Sequence, residues 1–535
     1  MKNTSALVAV LALAVVASLG PPVLAQPKKL PEAQDPYAEA PPVAAPATPT
    51  IAPPAKAPKG AKALKGKKDP KGSAPADPYA TTPQDPYGAD PLAPAPVDPK
   101  APKKAGKGAP VPQASTDPML NPNAKAPADP YAEPMPLAIP ARVGLDDLAG
   151  IQGLLGVQHL DGWLLCERDG SNPIAAQLVA PAGHPTRPWF YLVPVKGAPV
   201  ALVHSSEVRS FDKVPGTKLT YSGVDDLPGA LKVLLKGKKT IALEYSPKAA
   251  VPSISRVDAG TVELVRAAGV QIKSSETLVQ FTKAVWGDAG RTSHFIAVHH
   301  VVEMRKDALA FIAAQINANK PVTDYDVQQR IVKAMTVRGL VGQPPIVATG
   351  INTADPYYVP SQATATPIKR GDLIVISLAA RADKPNAIWA AQTWVAVADT
   401  TVAPLYANSF ALVKSGRDEA LKLISDRMHK HRPITGADVD DAVRALFKKA
   451  GAGEHVMHRT GHSIDTDFQG GGADLDNFEV KDKRILTAGT GVTIGPGLYL
   501  EKQYGVRTEV TVFLSPAGPE VTTPQQDSIE AILAR

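Results

Sequence analysis

A polar, glycine-rich stretch at residues 459–477 has the composition of a functional loop. Its sequence is RTGHSIDTDFQGGGADLDN, and it carries one histidine, His462. Loops of this kind lie at sites more often than in cores, because buried backbone needs hydrogen-bond partners that a loop cannot supply. The stretch is therefore predicted to be a strand end followed by a loop, with His462 as the candidate functional residue.

The histidines in and just before this stretch have a spacing similar to that of metal ligands. His455, His458 and His462 form an H-x-x-H-x-x-x-H run. Residues 455–460 are predicted to form a strand, on which His455 and His458 would point to opposite faces. The three imidazoles are therefore not expected to converge on one metal ion.

Other candidate sites in this stretch lack the required pattern. The aspartates at 465, 467, 474 and 476 fit no EF-hand calcium loop. No lysine follows the triple glycine at 470–472, so it is not a phosphate-binding loop. No stretch of the chain interleaves basic and aromatic residues as nucleic-acid readers do, and no nucleic-acid partner is predicted.

The elements that must position the loop begin near residue 139. At 535 residues and 44% hydrophobic content, the chain is long enough for two or three domains. Residues 139–275 alternate strand-like and helical patterns, which predicts a small α/β domain. The strand-like runs are 162–166, 189–195, 198–204 and 240–245, and the helical stretches are 144–156, 225–235 and 258–268.

Residues 276–525 change in character, because long helical stretches alternate with strands. This pattern predicts an α+β domain, followed by a C-terminal tail at 526–535. Thr323 and Thr435 are candidate N-caps, the first with Asp326 three residues on. The predicted helices are 281–316, 323–338, 418–429 and 437–450, and the predicted strands are 372–379, 393–398, 455–460, 491–499 and 506–514.

The first 25 residues have the pattern of a secretory signal peptide. Lys2 precedes an apolar run at 6–19, and a small-residue cleavage site follows at 23–25. The run is shorter than the ~20 residues of a membrane span. The chain is therefore predicted to be exported to the periplasm or the extracellular space, without a transmembrane helix after cleavage.

Residues 26–138 are predicted to be a disordered linker. More than half of the 54 prolines lie in residues 26–142. The unit Asp-Pro-Tyr recurs there at 35–37, 77–79, 85–87 and 129–131. The net charge of +7 is modest, and a lysine-rich patch lies in the linker. A solvated spacer is the simpler interpretation, and weak attraction to an anionic envelope polymer is the alternative.

The single cysteine, Cys166, excludes an internal disulfide. It lies in the apolar run Trp163-Leu164-Leu165-Cys166, which predicts a buried small hydrophobic residue rather than a catalytic thiol.

Short strings characteristic of one protein family recur over residues 139–524. They are LDGWLL (160–165), EYSP (244–247), SRVDAGTVE (255–263), DKP (383–385), TWV (393–395), RTGHSI (459–464), PGLY (496–499) and GVRTE (505–509). In these strings the chain resembles the creatinase and aminopeptidase P group of pita-bread proteins, and the likeness is greatest to two-domain Xaa-Pro aminopeptidase-like proteins.

The resemblance implies a dinuclear metal centre. Active members hold two divalent ions, such as manganese, cobalt or zinc, with two aspartates, one histidine and two glutamates. The metals lower the pKa of a bridging water and polarise the scissile carbonyl. Carried over to this chain, the ligand positions are Ser377 and Gln392 for the aspartates, His462 for the histidine, and Gly495 and Glu509 for the glutamates.

The positions of the family's proton-handling histidines are also changed. The first is Tyr357 and the second is Gln469, and Asp465 stands where the family tends to have glycine. One carboxylate and one imidazole cannot hold two dications. The resemblance therefore predicts a degenerate site with vestigial ligands His462 and Glu509, and no metal cofactor is expected.

Three functions follow as hypotheses. The first is a binding or scaffolding pseudoenzyme, in which the cleft holds a peptide or a small amide. The second is an active Xaa-Pro peptidase with an unusual mononuclear or metal-free site around His462 and Glu509. The third is a creatinase-like hydrolase of a small amide, although Tyr357 replaces its histidine.

Family resemblance also suggests a homodimer. The predicted cleft residues are Tyr357, Gln392, His462, Gln469, Arg507 and Glu509.

Overall fold

The structure is a computed structural model that describes residues 144–534. All of these residues belong to one compact unit of the chain, residues 112–535. The predicted signal peptide and the predicted linker lie outside the described residues. Within the described part, no helix is long and apolar enough to cross a membrane.

A six-stranded sheet organises the first part of the described chain. Its strand order is β4-β3-β2-β1-β5-β6, with β1 antiparallel to β2 and parallel to β5. The strands are β1 (Gly162–Glu167), β2 (Trp189–Pro194), β3 (Val200–His204), β4 (Thr217–Tyr221), β5 (Thr240–Leu243) and β6 (Gln271–Ser274). The helices beside them are α1 (Leu148–Val157), α2 (Pro173–Val179), α3 (Asp226–Leu234) and α4 (Ala259–Ala267).

Both faces of this sheet are buried, which explains why the sequences of its central strands are continuous apolar runs. Trp163 and Leu165 pack in one core and Leu164 and Cys166 in the other. The predicted burial of Cys166 is confirmed. Sequence patterns missed the edge strands β4 and β6, because their residues are largely exposed.

The second part contains the longer helices and the remaining sheets. The helices are α5 (Glu276–Val279), α6 (Gly287–Asn317), α7 (Asp324–Val337), α8 (Pro404–His429) and α9 (Gly436–Lys449). The strands are β7 (Leu340–Gly342), β8 (Ile346–Thr349), β9 (Leu373–Ala382), β10 (Ala390–Val397), β11 (Ser463–Ile464), β12 (Gly491–Ile494), β13 (Gly497–Leu500), β14 (Tyr504–Arg507), β15 (Val510–Ser515), β16 (Gly518–Val521) and β17 (Glu530–Ala531). A π-helical turn, Gln280–Ala284, links α5 to α6.

The β9–β10 pair lies at the centre of this part, with helices on both sides. Helices α6 and α7 share one apolar core with Ile374 and Ile376 of β9. Helices α8 and α9 share the other core with Val375 and Val395. Both predicted N-caps are confirmed, since Thr323 and Thr435 each form a capping box.

The predicted strand at 455–460 is wrong. Residues Gly453–His455 form a 3₁₀ turn, and the strand begins only at Ser463. The Thr460 carbonyl accepts from the Gly495 amide (2.8 Å), but side chains of α9 hold two other backbone groups of this segment. Arg444 Nη2 donates to the carbonyl of His458 (2.7 Å), and Asp440 Oδ1 accepts from the Thr460 amide (2.9 Å).

Three other predicted elements differ from those of the structure. The strand predicted at 491–499 divides into β12 and β13 at Pro496, which has no N–H for a ladder bond. The strand predicted at 506–514 divides into β14 and β15 at Thr508 and Glu509. The helix predicted at 418–429 is the C-terminal half of α8, which begins at Pro404. Proline at the first helical position is compatible with a helix, because that N–H has no intrahelical partner.

Candidate functional site

A cavity of about 270 Å³ opens beside β9 and the 459–477 loop. The lining combines polar groups with apolar side chains such as Ile346, Val359 and Phe468. Most of the predicted site positions line this cavity, namely Tyr357, Ser377, His462, Gln469, Gly495, Arg507 and Glu509.

Gln392 is the exception, and its predicted place in the cleft is wrong. Its side chain is buried on the opposite face of β10, where Oε1 accepts from Arg305 Nη1 (3.0 Å). Its Nε2 donates to the carbonyl of Pro524 (2.8 Å). Successive side chains of a strand point to opposite faces, so a shift of one residue changes the face.

Thr393 takes the position that was assigned to Gln392. It pairs directly with Ser377 across β9 and β10, and its backbone bridges to Glu509. Thr393 Oγ1 lies 2.9 Å from Ser377 Oγ and 2.9 Å from Glu509 Oε2. The two positions assigned to metal-binding aspartates therefore carry hydroxyls, at Ser377 and Thr393.

The direction of the hydrogen bond between Thr393 and Glu509 follows from the acceptor. Burial raises the pKa of Glu509, but the Arg507 guanidinium and the Thr393 hydroxyl outweigh it and hold the pKa below its ordinary value. An ionised carboxylate only accepts hydrogen bonds. Thr393 therefore donates to Glu509.

Arg507 supplies the positive charge beside Glu509. Its Nη2 lies 2.9 Å from Glu509 Oε1, and the Glu509 side chain is 2% exposed. Gly495 lies against the same pair, because a Cβ there would be 3.1 Å from Glu509 Cγ and 3.3 Å from Arg507 Nη2. A glutamate at 495 would therefore contact the guanidinium directly.

His462 and His458 are buried and neutral. Burial and the nearby Arg459 lower the pKa of His462 to about 4. Its Nδ1 bonds the carbonyl of Ser463 (2.8 Å), and its ring meets Phe468 edge-on. His458 bonds the hydroxyl of Tyr499 (2.8 Å), and burial lowers its pKa to about 3. Neutral imidazoles add no positive charge to the cleft.

The loop that carries His462 is held by ion pairs. Asp465 accepts from the amides of Asp467 and Gly471 (both 2.7 Å) and lies 3.5 Å from Lys283 Nζ. The same ammonium lies 2.6 Å from Asp467. Arg459 contacts Asp474 at 3.0 Å. These contacts account for Asp465, Asp467 and Asp474 without a metal ion.

The donors at these positions do not match the ligand set of two divalent metals. Ser377 and Thr393 offer neutral hydroxyls, Gly495 offers no side chain, and the Glu509 carboxylate already has a cation. Among residues 144–534, no group of three or more His, Cys, Asp or Glu side chains is placed to hold a metal ion.

The contacts of β10 show why Thr393 and not Gln392 faces the cleft. Gln392 and Trp394 share a face of β10, and Arg305 lies 3.7 Å from the Trp394 ring centroid. The strict alternation of β10 therefore assigns Thr393 to the other face. His458 and Arg459 also line the cleft and were not among the predicted cleft residues.

Metallopeptidase family M24 matches residues 298–516, which include every cleft position described above. This chain carries an M24 domain of the creatinase and aminopeptidase P, or pita-bread, type. The resemblance noted from the sequence strings is confirmed.

Two curated relatives illustrate the extent of the likeness. The Xaa-Pro dipeptidase of Pyrococcus furiosus is 27% identical over 178 residues, which cover 33% of this chain and 46% of that protein. The probable dipeptidase PepE of Mycobacterium tuberculosis is 26% identical over 204 residues, which cover 37% of this chain and 48% of that protein. The chain therefore spans about half the length of these relatives.

Solved structures match over a longer part of the chain. Dipeptidase PepE from Mycobacterium ulcerans has a TM-score of 0.57 at 20% identity, covering 74% of this chain and all of that chain. The Xaa-Pro dipeptidase from Bacillus anthracis has a TM-score of 0.53 at 18% identity, covering 72% of this chain and 99% of that chain. At these identities the likeness shows the pita-bread fold.

Proposed function

We propose that this chain is an exported M24 protein that binds a peptide or a small amide and has lost dinuclear-metal peptidase chemistry. The donor set of the cleft carries the proposal. Ser377 and Thr393 offer hydroxyls where two aspartates were expected, and Gly495 has no side chain where a glutamate was expected. The remaining carboxylate, Glu509, is paired with Arg507 at 2.9 Å.

The ligand class follows from the groups that face the cavity. Tyr357, Ser377 and Gln469 offer neutral donors and acceptors, and His462 is uncharged. Such groups suit the amide of a peptide bond. The volume of about 270 Å³ lies just below the ~300–1,000 Å³ typical of small-molecule sites, which favours a ligand of dipeptide size.

The wider organisation belongs to the same proposal. An α/β domain at 139–275 precedes the pita-bread domain at 276–525, and the proline-rich segment at 26–138 acts as a tether after signal cleavage. Export places the cleft in the periplasm or the extracellular space.

Calorimetry with Xaa-Pro dipeptides and small amides tests the binding function. Gln469→Ala should weaken binding by about tenfold, the loss of one to two hydrogen bonds to a neutral group. Gln362→Ala, an exposed glutamine outside the cavity, is the matched control and should leave binding unchanged. Equal affinities for both variants, or no binding of any of these ligands, would refute the ligand class.

A second candidate function is metal-free hydrolysis, which the hydrogen-bond chain from Ser377 through Thr393 to Glu509 favours. The lowered pKa of Glu509 argues against metal-free hydrolysis, because a carboxylate with a lowered pKa is a weaker base. Turnover of Xaa-Pro peptides that is abolished in His462→Ala would establish this function instead.

A further inference from the structure

A second cavity, of about 810 Å³, lies at the C-terminal end of α1 and carries unpaired positive charge. Lys273, Lys481 and Lys483 line it, and among residues 144–534 none of the three forms an ion pair. Arg484 also lines it, but Asp482 neutralises that guanidinium at 2.6 Å. Glu276 is the acidic residue of the lining. We call this cavity the lysine groove.

The lysine groove also has an apolar floor. Leu160, Pro247, Ala250 and Val251 line it between the lysines. A ligand that combines carboxylates with an apolar or aromatic side chain would match both parts of the surface, because its charge meets the ammonium groups while its ring covers the apolar residues.

We propose that the lysine groove binds the last Asp-Pro-Tyr unit of this chain's own proline-rich segment, residues 129–133. That pentapeptide, Asp129-Pro130-Tyr131-Ala132-Glu133, contains two carboxylates and one tyrosine. It lies outside the described residues. This docking is independent of the ligand-binding function of the cleft.

The chain length between the unit and the groove permits this contact. Residues 134–143 separate the unit from the described chain, and a segment of that length spans up to ~33–36 Å. Helix α1 then follows from Leu148 to Val157, about 15 Å long at 1.5 Å per residue. Gln158, His159 and Leu160, immediately after α1, line the groove. The tether is therefore longer than the distance along α1.

Tethering makes a weak contact sufficient. Each screened carboxylate–ammonium pair contributes ~1 kcal/mol or less, but a short tether gives an effective concentration in the millimolar range. The same pentapeptide occurs at 35–39, separated from the groove by far more chain. Because effective concentration falls with tether length, the unit at 129–133 should occupy the groove in preference to its copy.

The described chain contains one Asp-Pro-Tyr unit, at 355–357. There, Asp355 Oδ1 accepts from the Tyr357 amide (2.9 Å), and the tyrosine is 66% exposed. This is an Asx-type turn.

Zero-length carbodiimide cross-linking of the full-length protein, mapped by mass spectrometry, tests the docking. At low salt, Asp129 and Glu133 should link to Lys273, Lys481 and Lys483 about tenfold more often than Asp35 and Glu39 do, because the nearer unit has the higher effective concentration. The same links should fall sharply near 0.5 M salt, where charges are screened within a few ångströms.

A variant separates docking from simple proximity. In Lys481→Gln/Lys483→Gln, the remaining link to Lys273 should fall several-fold, since two of the three attracting charges are gone. The exposed pair Lys213→Gln/Lys320→Gln is the matched control and should leave that link unchanged. Three outcomes would each overturn the proposal. The links could spread evenly over the exposed lysines, they could join two chains, or residues 129–133 could form no links.

Discussion

The Arg507 guanidinium and the Glu509 carboxylate form a buried ion pair in the wall of the cleft. The side chain of Glu509 is 2% exposed and that of Arg507 is 18% exposed. Glu509 also accepts from Thr393. Removing the cation would leave the carboxylate buried with one hydrogen-bond donor, whereas removing both charges would leave a nearly neutral pocket.

We therefore expect Arg507→Met to lower the free energy of unfolding by about 3 kcal/mol, the lower end for a broken buried pair because the arginine is partly exposed. The double variant Arg507→Met/Glu509→Gln should recover to within about 1 kcal/mol of the native chain. Urea denaturation measures both. A double variant no more stable than the single one would show that Arg507 is not the counter-ion of Glu509.

Glu244 is a second buried carboxylate, in the core of the six-stranded sheet. Trp163 Nε1 donates to Oε1 (2.6 Å) and Asn172 Nδ2 donates to Oε2 (2.9 Å). Burial raises its pKa from 4.5 to about 7 despite these donors. Because the folded-state pKa lies above the unfolded value, its contribution to stability is fully present below about 4.5 and is lost as the pH rises through about 7.

The difference in unfolding free energy between the native chain and Glu244→Gln should therefore fall by on the order of 3 kcal/mol from about pH 4.5 to about pH 8. Comparison with the variant is needed because the buried histidines 294, 458 and 462 have lowered pKa values and act in the opposite direction. Glu263→Gln, an exposed residue of α4, is the control. A pH-independent difference would contradict the assignment.

At the scale of elements, the 465–471 loop is attached to the π-helical turn Gln280–Ala284 by one buried ammonium group. Lys283 contacts both Asp465 and Asp467, and the Asp465 carboxylate organises two loop amides. Phe468 and Gln469 of this loop line the cleft. The lysine therefore determines how rigidly one wall of the cleft is held.

Lys283→Met should increase hydrogen exchange of the Asp467 and Gly471 amides by about tenfold, which corresponds to ~1.4 kcal/mol of lost local stability. Lys306→Met removes an exposed helix pair with Glu303 and should leave the loop unchanged. Equal protection of the loop in both variants would show that Lys283 does not hold it.

The elements also show which features a sequence can predict. Capping at Thr323 and Thr435 is local, because the cap and its partner lie three residues apart, and both predictions were correct. The prediction of a strand at 455–460 failed because the His458 carbonyl and the Thr460 amide bond Arg444 and Asp440 of α9, contacts that no local pattern reveals.

In the functional site, too, local features were predicted correctly and long-range contacts were not. Family strings located β9, β10 and the His462 loop, but they placed the second aspartate position at Gln392 instead of Thr393. A slip of one residue reverses the face of a strand. Only the cross-strand register, in which Thr393 pairs with Ser377, identifies the residue that faces Glu509.

At the scale of the whole molecule, the pita-bread fold is combined with Ser377, Thr393 and Gly495 at three cleft positions where carboxylates were expected. The helices α6 to α9 cover both faces of the β9–β10 pair, with an apolar core on each side. The predicted homodimer and the predicted export remain predictions.

Metal analysis of the purified protein tests the account most directly. After incubation with manganese, cobalt or zinc and removal of free ions, elemental analysis should find no tightly held ion in the native chain. The variant Ser377→Asp/Thr393→Asp/Gly495→Glu restores the carboxylates that the resemblance predicts. It should retain metal, whereas the same variant built with Gln392→Asp in place of Thr393→Asp should retain less. Two tightly bound ions per native chain would contradict the account.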